Sequence, residues 1–320
     1  MNIGRIAIIG GAGFIGQNLV RKLLTCDKST QITVLDNNQH QTAHFLPSND
    51  ERLRYLVIDV LDRKETENFF SNNRIDVVVN LSARAGVTES IANPRTNFET
   101  NVVGNFNLLD SARLYGVKKF IFASTGGAIM GDAEPPLTES MRPNPLTPYG
   151  VSKLTGELYT KVFEQCYSIN SCCLRFSNVY GEYSIHKNNL IPAFLKSAFD
   201  RATACLYGDG GQARDFIYVG DLTEGIARVI DRNATGVIQL ATGVSTTALG
   251  VVKLIEERLP PDIRIHWENK PVRKGEVYRT WCDNSKSVGL LGDYVSTPLT
   301  KGISKTVDWY VKYYGDRSTK

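Results

Sequence analysis

Gly10-Gly11-Ala12-Gly13-Phe14-Ile15-Gly16 is the stretch of sequence that decides the fold. It follows a short apolar run, Arg5–Ile9, and it opens a segment whose apolar residues recur at helical spacing. Between a strand and a helix, three glycines so spaced serve a tight turn, close approach of a pyrophosphate and packing of the helix on the strand. The first amides of that helix then face the phosphates. The stretch therefore predicts a dinucleotide-binding turn.

Asp36 supports this interpretation and selects the dinucleotide. It ends the second apolar run, 32–35, and its distance from Gly16 matches the interval of about 20 residues expected for the acid that binds the adenosine ribose. A carboxylate there accepts hydrogen bonds from a free ribose diol and repels a 2′-phosphate, and no arginine stands at 37–39. The sequence therefore predicts NAD as the cofactor rather than NADP.

Apolar runs alternate with helical patterns along the chain, and most of these runs lack polar alternation, which is typical of parallel strands covered on both faces. We therefore predict an α/β fold, a Rossmann-type doubly wound parallel sheet with a smaller, interleaved C-terminal α/β substrate domain. The NAD-binding domain is expected at 1–178 plus 216–242, and the nucleotide-sugar-binding domain at 179–215 plus 243–320. The expected strands are 5–9, 32–35, 55–58, 77–81, 120–123, 172–176, 236–240 and, in the smaller domain, 263–267.

Composition narrows the class of protein. The 320 residues carry a net charge of only +4, and no basic run indicates nucleic-acid binding. No apolar run approaches the roughly 18 residues of a membrane span. A strand that begins almost at the first residue leaves no room for a signal peptide, so a cytoplasmic protein is expected. The six cysteines show no CxxC spacing, and no metal site is predicted.

Tyr149 and Lys153 are four residues apart where a helical pattern begins, and Pro148 suits a first helical turn. Residues at this spacing share one helix face, so the phenol and the ammonium can be neighbours. An ammonium beside a phenol favours the phenolate, and we expect it to lower the pKa of Tyr149. The pair therefore predicts a general base.

Together these motifs resemble the extended short-chain dehydrogenase/reductase family, and within it the NAD-dependent nucleotide-sugar epimerases and dehydratases of the UDP-glucose 4-epimerase type. The resemblance covers nearly the whole chain. It is carried, besides the glycine turn and 149–153, by Asp59-Val60, Asn80-Leu81-Ser82-Ala83, Ser124-Thr125, 175–181 and 214–219. It implies that Tyr149 is the catalytic base, that Lys153 holds the nicotinamide ribose, and that Thr125, or Ser124 as the second choice, assists at the sugar hydroxyl.

The resemblance also implies two sets of binding residues. The cofactor set is Gly10, Gly13, Phe14, Ile15, Gly16, Asp36, Asn37, Asp59, Val60, Leu81, Ser82, Ala83, Asn101, Ser124, Tyr149 and Lys153. The substrate set is Arg84, Thr125, Asn178, Asn189, Leu190, Tyr207, Arg214, Arg273 and Glu276. Two arginines, Arg214 and Arg273, suit a diphosphate because their forked donors bind it through charge-assisted hydrogen bonds.

The expected reaction is 4-epimerisation of a UDP-sugar through a transient 4-keto sugar. A 4,6-dehydratase needs a further acid and base, which relatives carry as Asp-Glu after the threonine, whereas Gly126-Gly127 follow Thr125 here. A uronate decarboxylase, and a binding protein without catalysis, remain alternatives. Thr280, near the C2 side of the sugar by resemblance, is small, so we expect an N-acetyl group to be tolerated there, and Arg84 or Lys187 suits a uronate.

Two further expectations come from the resemblance. Met130 replaces a frequent tyrosine, so an aromatic wall of the sugar pocket is expected to be missing. In relatives, helices that correspond to 97–115 and 149–167 pair with their copies, so a homodimer is expected.

Overall fold

The computed structural model describes residues 4–272 and 277–318. Its strands are β1 (Arg5–Ile9), β2 (Gln31–Asp36), β3 (Leu53–Val57), β4 (Val77–Asn80), β5 (Lys119–Thr125), β6 (Asn170–Phe176), β7 (Asn178–Tyr180), β8 (Thr203–Tyr207), β9 (Ala213–Tyr218), β10 (Gly236–Leu240), β11 (Ser245–Thr247), β12 (His266–Lys270) and β13 (Arg279–Thr280). Its α-helices are α1 (Phe14–Cys26), α2 (Arg63–Asn72), α3 (Val87–Ala92), α4 (Pro94–Phe98), α5 (Gly104–Leu114), α6 (Gly126–Met130), α7 (Pro148–Tyr167), α8 (Leu190–Phe199), α9 (Val219–Asp231), α10 (Ala248–Glu256), α11 (Ser285–Leu291) and α12 (Leu299–Ser318).

The main sheet confirms the predicted α/β fold. Seven strands pair in the order β10-β6-β5-β4-β1-β2-β3, and every pairing in this sheet is parallel. The strand order reverses between β1 and β4, and in doubly wound sheets ligands bind beyond the carboxyl ends of the strands at such a point. The glycine turn after β1 and the loop after β4 both lie there.

Side chains of β1 show why the predicted strands lack polar alternation. Ile6 and Ile8 belong to one core cluster, together with residues of α1 and α9, whereas Ala7 and Ile9 belong to the cluster on the opposite face, with residues of α2 and α5. All four are fully buried, with at most 1% exposure. Because successive residues of a strand point to opposite faces, a strand covered on both sides is apolar throughout.

The second half of the chain forms a smaller core. A small sheet has the order β11-β9-β13, with β7 also paired to β9, and β12 pairs with β8. Phe194, Tyr218 and Tyr310 are buried in this core together with Phe14 of α1, so the dinucleotide helix packs on both halves. The predicted strand at 263–267 is displaced to His266–Lys270, where it finds its hydrogen-bonding partner β8.

The strand pairing also bears on the domain division. Residues 216–218 were assigned to the NAD-binding domain, but they belong to β9, which pairs within the small sheet. Conversely, Leu291 and Tyr294, assigned to the substrate domain, are buried in the main core beside β10 and α9. The division is therefore interleaved more finely than the predicted boundaries, which otherwise stay a prediction.

The long helix predicted at 97–115 is interrupted. A single π-helical turn, Glu99–Val103, lies between α4 and α5. Such a turn widens a helix locally and is frequent at functional sites. No helix in the described part of the chain is long and apolar enough to cross a membrane.

We expect Gly16→Ala to destabilise the protein. A Cβ at Gly16 would lie 2.4 Å from Cα of Gly11, so the turn or the helix must shift, at a cost of about 1–3 kcal/mol. Gly289→Ala, also within a helix but with no atom within 4 Å of the new Cβ, is the matched control and should gain up to about 1 kcal/mol. Urea unfolding of both variants measures the difference, and equal stabilities would contradict the packing role of Gly16.

Candidate functional site

The glycine turn is tightly packed around its first and last glycines and less crowded around Gly13. Gly10 has φ of 73°, and a Cβ there would lie 2.8 Å from the backbone nitrogen of Ser82. A Cβ at Gly13, the N-cap of α1, would meet only the carbonyl oxygen of Gly10, at 3.2 Å, and no side chain caps the helix. The first amides of α1 therefore keep their donors for an anion. This arrangement fits the diphosphate of a dinucleotide.

Asp36 lies at the end of β2 and is held in place by the backbone. Its carboxylate accepts hydrogen bonds from the amides of Ala12 (3.1 Å) and Asn38 (2.8 Å). Burial raises the pKa of Asp36, and these two bonds act in the opposite direction. The Asn37 amide donates to Asp59 at 3.0 Å, which joins the loops after β2 and β3. The structure thus brings the predicted ribose acid and the residues of the adenine edge to one side of the sheet.

Val60 and the loop after β4 complete the cofactor side. Val60 is buried, and a Cβ at Gly104 would lie 2.6 Å from its Cγ2 atom, so α5 can approach only because residue 104 is glycine. The Ser82 hydroxyl donates to Asn80 (2.6 Å), whose amide donates to Asn105 (2.9 Å). Leu81, Ser82 and Ala83 are half-buried beside these contacts.

Asn101, in the π-helical turn, connects the loop after β4 with the start of α7. Its side-chain oxygen accepts from the amide of Arg84 (2.8 Å), and its side-chain nitrogen donates to the Ser152 hydroxyl (3.0 Å). The Ser152 hydroxyl donates in turn to the carbonyl of Tyr149 (2.9 Å). Asn101 therefore sets the position of the first turn of α7 relative to the cofactor loop.

Tyr149 and Lys153 come together on α7 as predicted. The helix begins at Pro148, and the Thr147 hydroxyl caps it by accepting from the amide of Gly150 (3.2 Å). The Lys153 ammonium donates to the carbonyl of Ala123 (2.8 Å) and lies 6.0 Å from the centre of the Tyr149 ring. Lys153 therefore joins α7 to β5.

The predicted direction of the Tyr149 pKa is wrong for the protein without its cofactor. Burial raises the pKa of Tyr149 to about 12. Burial likewise lowers the pKa of Lys153 to about 7, although the Glu157 carboxylate opposes this shift. The ammonium is hydrogen-bonded to a backbone carbonyl rather than to the phenol, so desolvation of the phenol outweighs its attraction.

Ser124 and Thr125, the two candidate hydroxyls, occupy different environments at the end of β5. The Ser124 hydroxyl is buried and donates to Glu157 (2.7 Å). Glu157 also accepts two hydrogen bonds from Arg175, at 2.9 and 2.8 Å, in a pair whose side chains are only 6% and 4% exposed. Thr125 is half-buried and makes no capping bond to α6. Of the two hydroxyls, the Ser124 hydroxyl is therefore the one held by a buried carboxylate.

The predicted substrate residues lie mainly in the second half of the chain. Asn178 begins β7, and Asn189 and Leu190 stand at the N-terminus of α8. Arg214 lies on β9, in register with Thr280 of β13, and donates to the carbonyls of Ala213 (3.0 Å) and Tyr278 (3.1 Å). Tyr207 ends β8, and Arg84 lies 3.8 Å from Glu89 on the cofactor side. Arg273 and Glu276 lie outside the described residues.

Three contributing residues were not predicted. Glu157, Ser152 and Arg175 received no role from the sequence, although Glu157 stands one helical turn after Lys153 at the same four-residue spacing that joins Tyr149 to Lys153. That spacing was the available signal for Glu157, whereas nothing in the sequence indicates its partner on β6. Among the described residues, no group of three or more His, Cys, Asp or Glu side chains could hold a metal ion.

The turn, the ribose acid and the Tyr–Lys pair define a dehydrogenase-like NAD site of the short-chain dehydrogenase/reductase class. The chain belongs to the NAD dependent epimerase/dehydratase family, whose model matches residues 6–241. NAD is therefore its cofactor, and the protein is an NAD-dependent enzyme of the epimerase/dehydratase type. The residues that surround the turn fit this cofactor, as the contacts of Gly13 and Asp36 show.

Solved structures of both reaction types are similar to this chain. The UDP-glucose 4-epimerase of Thermus thermophilus, in complex with NAD, has a TM-score of 0.89 and 30% identity, covering 96% of this chain and 99% of that one. The UDP-glucose 4-epimerase of Thermotoga maritima, with UDP-glucose, has a TM-score of 0.88 and 31% identity, covering 97% and 99%. The dTDP-glucose 4,6-dehydratase of Streptomyces venezuelae, with NAD, has a TM-score of 0.87 and 28% identity, covering 97% of this chain and 98% of that one.

We expect Glu157→Gln to destabilise the protein by about 3–5 kcal/mol, because it leaves the Arg175 guanidinium buried without its counter-charge. The Nη1 atom of Arg175 already has no hydrogen-bond partner among the described residues. Glu268→Gln, which removes an exposed carboxylate paired with Lys270, is the matched control and should leave the unfolding midpoint unchanged. Chemical denaturation measures both, and a Glu157→Gln protein as stable as the control would contradict the role of the buried pair.

Proposed function

We propose that this enzyme catalyses the NAD-dependent 4-epimerisation of a UDP-sugar through a transient 4-keto sugar. The observation that carries the proposal is the identity of the two residues that follow Thr125. Positions 126 and 127, where a dehydratase needs its further acid and base, are glycines that begin α6. A side chain at Gly126 would lie 2.8 Å from the Cys282 sulfur, so this position is closed by packing and does not face a substrate.

In the proposed reaction the protein positions the sugar and moves one proton. NAD, when bound, would supply the acceptor and donor for the hydride at C4 of the sugar. Tyr149 takes the proton of the 4-hydroxyl and later gives it back, with Thr125 donating a hydrogen bond at the same oxygen. Lys153 holds the nicotinamide ribose. Because the pKa of Tyr149 is about 12 without the cofactor, the phenolate needs a further positive charge nearby, and an oxidised nicotinamide ring carries one.

A 4,6-dehydratase and a uronate decarboxylase share the first oxidation, and they remain the alternatives within the family. Similarity to the Streptomyces dehydratase supports the first alternative. However, this chain has glycines at 126 and 127, where a dehydratase needs its acid and base. A binding protein without catalysis is the alternative of another class, and the retained Tyr149 and Lys153 argue against it.

For the substrate we propose that Asn178, Asn189, Leu190, Tyr207, Arg214, Arg273 and Glu276 bind the UDP portion. Thr280 supports a sugar with an N-acetyl group. It is 9% exposed, and its methyl carbon lies 3.1 Å from the position of a Cβ at Gly127, two residues from Thr125. A side chain this small beside the proposed hydroxyl leaves room at C2, so UDP-N-acetylglucosamine, its uronic acid and UDP-glucose are the candidates.

The experiment is incubation of the NAD-loaded enzyme with each of these UDP-sugars, with the products resolved by NMR. We expect an equilibrium mixture of C4 epimers, without loss of water or carbon dioxide, and conversion of the N-acetylated sugar. Tyr149→Phe should lower kcat by about 10²–10⁴-fold because the proton acceptor is lost. Tyr167→Phe, at the exposed end of the same helix, is the control and should retain full activity.

A dehydrated product would show that the enzyme is a dehydratase, and a decarboxylated product that it is a decarboxylase; either would overturn the proposed epimerisation. Conversion of UDP-glucose alone would contradict the argument from Thr280. Full activity of Tyr149→Phe would rule out Tyr149 as the base.

We also propose that the protein is a homodimer, as the resemblance implies. The support is an exposed apolar stripe on α7, where Val151, Leu158 and Val162 are 51%, 57% and 47% exposed. Phe106 of α5 extends the stripe and contacts Tyr159 with ring centroids 5.4 Å apart. Contiguous exposed apolar surface of this kind marks an interaction site.

Val162→Lys is expected to shift the protein toward monomers, because it places a charge in the proposed apolar contact. Val244→Lys makes the same change at a position outside the stripe that is 64% exposed, and it should leave the dimer intact. Light scattering coupled to size-exclusion chromatography gives the mass of each variant. A wild-type protein that is already monomeric would refute the proposal.

A further inference from the structure

The segment 181–189, between β7 and α8, is attached to the helix that carries the dinucleotide turn; we call it the covering loop. The Asn18 side chain on α1 donates both to the carbonyl of Phe14 (2.9 Å) and to that of Glu182 (3.0 Å). The Arg21 guanidinium lies 4.2 Å from the centre of the Tyr183 ring, and Tyr183 has φ of 65°. A non-glycine residue keeps this conformation only where its contacts hold it, so the covering loop has a defined path over α1.

The covering loop also contacts the loop that follows Asp36. The ring of His186 stacks on that of His40, with centroids 4.7 Å apart and planes inclined by 22°. Burial is the main cause that lowers the pKa of both rings, to about 3 for His186, so both are neutral at pH 7. The Nδ1 atom of His186 is buried without a hydrogen-bond partner among the described residues. The stack fixes the covering loop beside the predicted ribose acid without adding charge.

Lys187, the next residue, brings a cation into this region. Burial is the main cause that lowers the pKa values of Lys153, His40 and His186. The positive charge of Lys187 lowers all three pKa values further. Lys187 therefore lies within electrostatic range of both the loop after β2 and the start of α7. Its own pKa is lowered by burial, and the Glu89 carboxylate opposes this shift.

The carboxylate that acts on Lys187 is also engaged with another cation. Glu89 is shared with Arg84, 3.8 Å away, and its side chain is 51% exposed. Within 4–272 and 277–318, the Lys187 ammonium has no hydrogen bond or ion pair, while Lys153 uses its ammonium on a backbone carbonyl. A half-buried ammonium without a counter-charge is costly, and an anion bound beside it offsets that cost.

We propose that Lys187 of the covering loop binds the diphosphate of NAD. Both NAD and a UDP-sugar offer a diphosphate, but the groups that the charge of Lys187 reaches border the dinucleotide: His40 follows Asp36, and Lys153 stands at the nicotinamide ribose. Arg214, the arginine proposed for the substrate diphosphate, lies instead on β9 of the small sheet. Because Lys187 would contact the cofactor, this contact does not depend on which sugar is converted.

This contact gives the covering loop a second role. The same loop ends at Asn189, which is proposed with Leu190 of α8 to bind the UDP portion, so one segment would contact both ligands. A cofactor held by the glycine turn and by Lys187 would stay bound while the keto sugar turns, which suits a reaction that regenerates its cofactor in every cycle.

The test is the affinity for NAD of enzyme stripped of its cofactor, measured by calorimetry for wild type, Lys187→Met and Lys187→Arg. Loss of one charge-assisted hydrogen bond should raise the Kd of Lys187→Met for NAD at least about tenfold and make that Kd less dependent on salt. Lys187→Arg should retain most of the affinity. Lys253→Met, which removes an exposed cation on α10, is the control and should bind NAD as wild type does.

UDP binding to the same proteins separates the two sources of diphosphate. An unchanged Kd for UDP in Lys187→Met shows that the variant is folded and supports the assignment to NAD. A weakened Kd for UDP with unchanged binding of NAD overturns it, because the anion then belongs to the substrate. An unchanged Kd for both ligands overturns it as well. Failure of sugar conversion affects none of these readings, so the proposed function and this inference fail separately.

Discussion

The buried carboxylate of Glu157 is the interaction on which the site depends. It accepts two hydrogen bonds from Arg175 on β6 and one from Ser124 on β5, and it joins both strands to α7. An ion pair this deep is tolerated only when its hydrogen bonds are nearly complete, and the two-pronged geometry meets that condition. Lys153 stands one turn before Glu157, and Thr125 is the residue after Ser124. One buried charge therefore fixes the relative positions of α7 and the end of β5, which carry the residues proposed for catalysis.

A second set of contacts joins the cofactor side to α7. The π-helical turn brings the Asn101 side chain between the backbone of Arg84 and the Ser152 hydroxyl, so it joins the loop after β4 to the first turn of α7. Phe14, the first residue of α1, is buried among side chains of the second half of the chain. Both halves of the chain are thus packed against α1, and the covering loop is hydrogen-bonded to the same helix.

Much of the main sheet was predictable because its signals are local. The strands Arg5–Ile9 and Gly236–Leu240 occur at the predicted bounds, and the others lie within a few residues of theirs. The errors concern elements that depend on partners. The strand predicted at 263–267 shifted toward its pairing with β8, residues 216–218 joined the small sheet, and the helix at 97–115 contains a π-helical turn that its apolar spacing does not reveal.

By itself, the sequence determined the dinucleotide turn, the preference for NAD and the pairing of Tyr149 with Lys153. These follow from the size of glycine, the chemistry of one carboxylate and the pitch of a helix, all of which act over a few residues or at a known interval. Only the tertiary structure decided that the Ser124 hydroxyl is bonded to Glu157, that burial raises the pKa of Tyr149, and that His186 of the covering loop stacks on His40. Desolvation and hydrogen bonds between distant elements arise only when the chain is packed, so no spacing along the sequence encodes them.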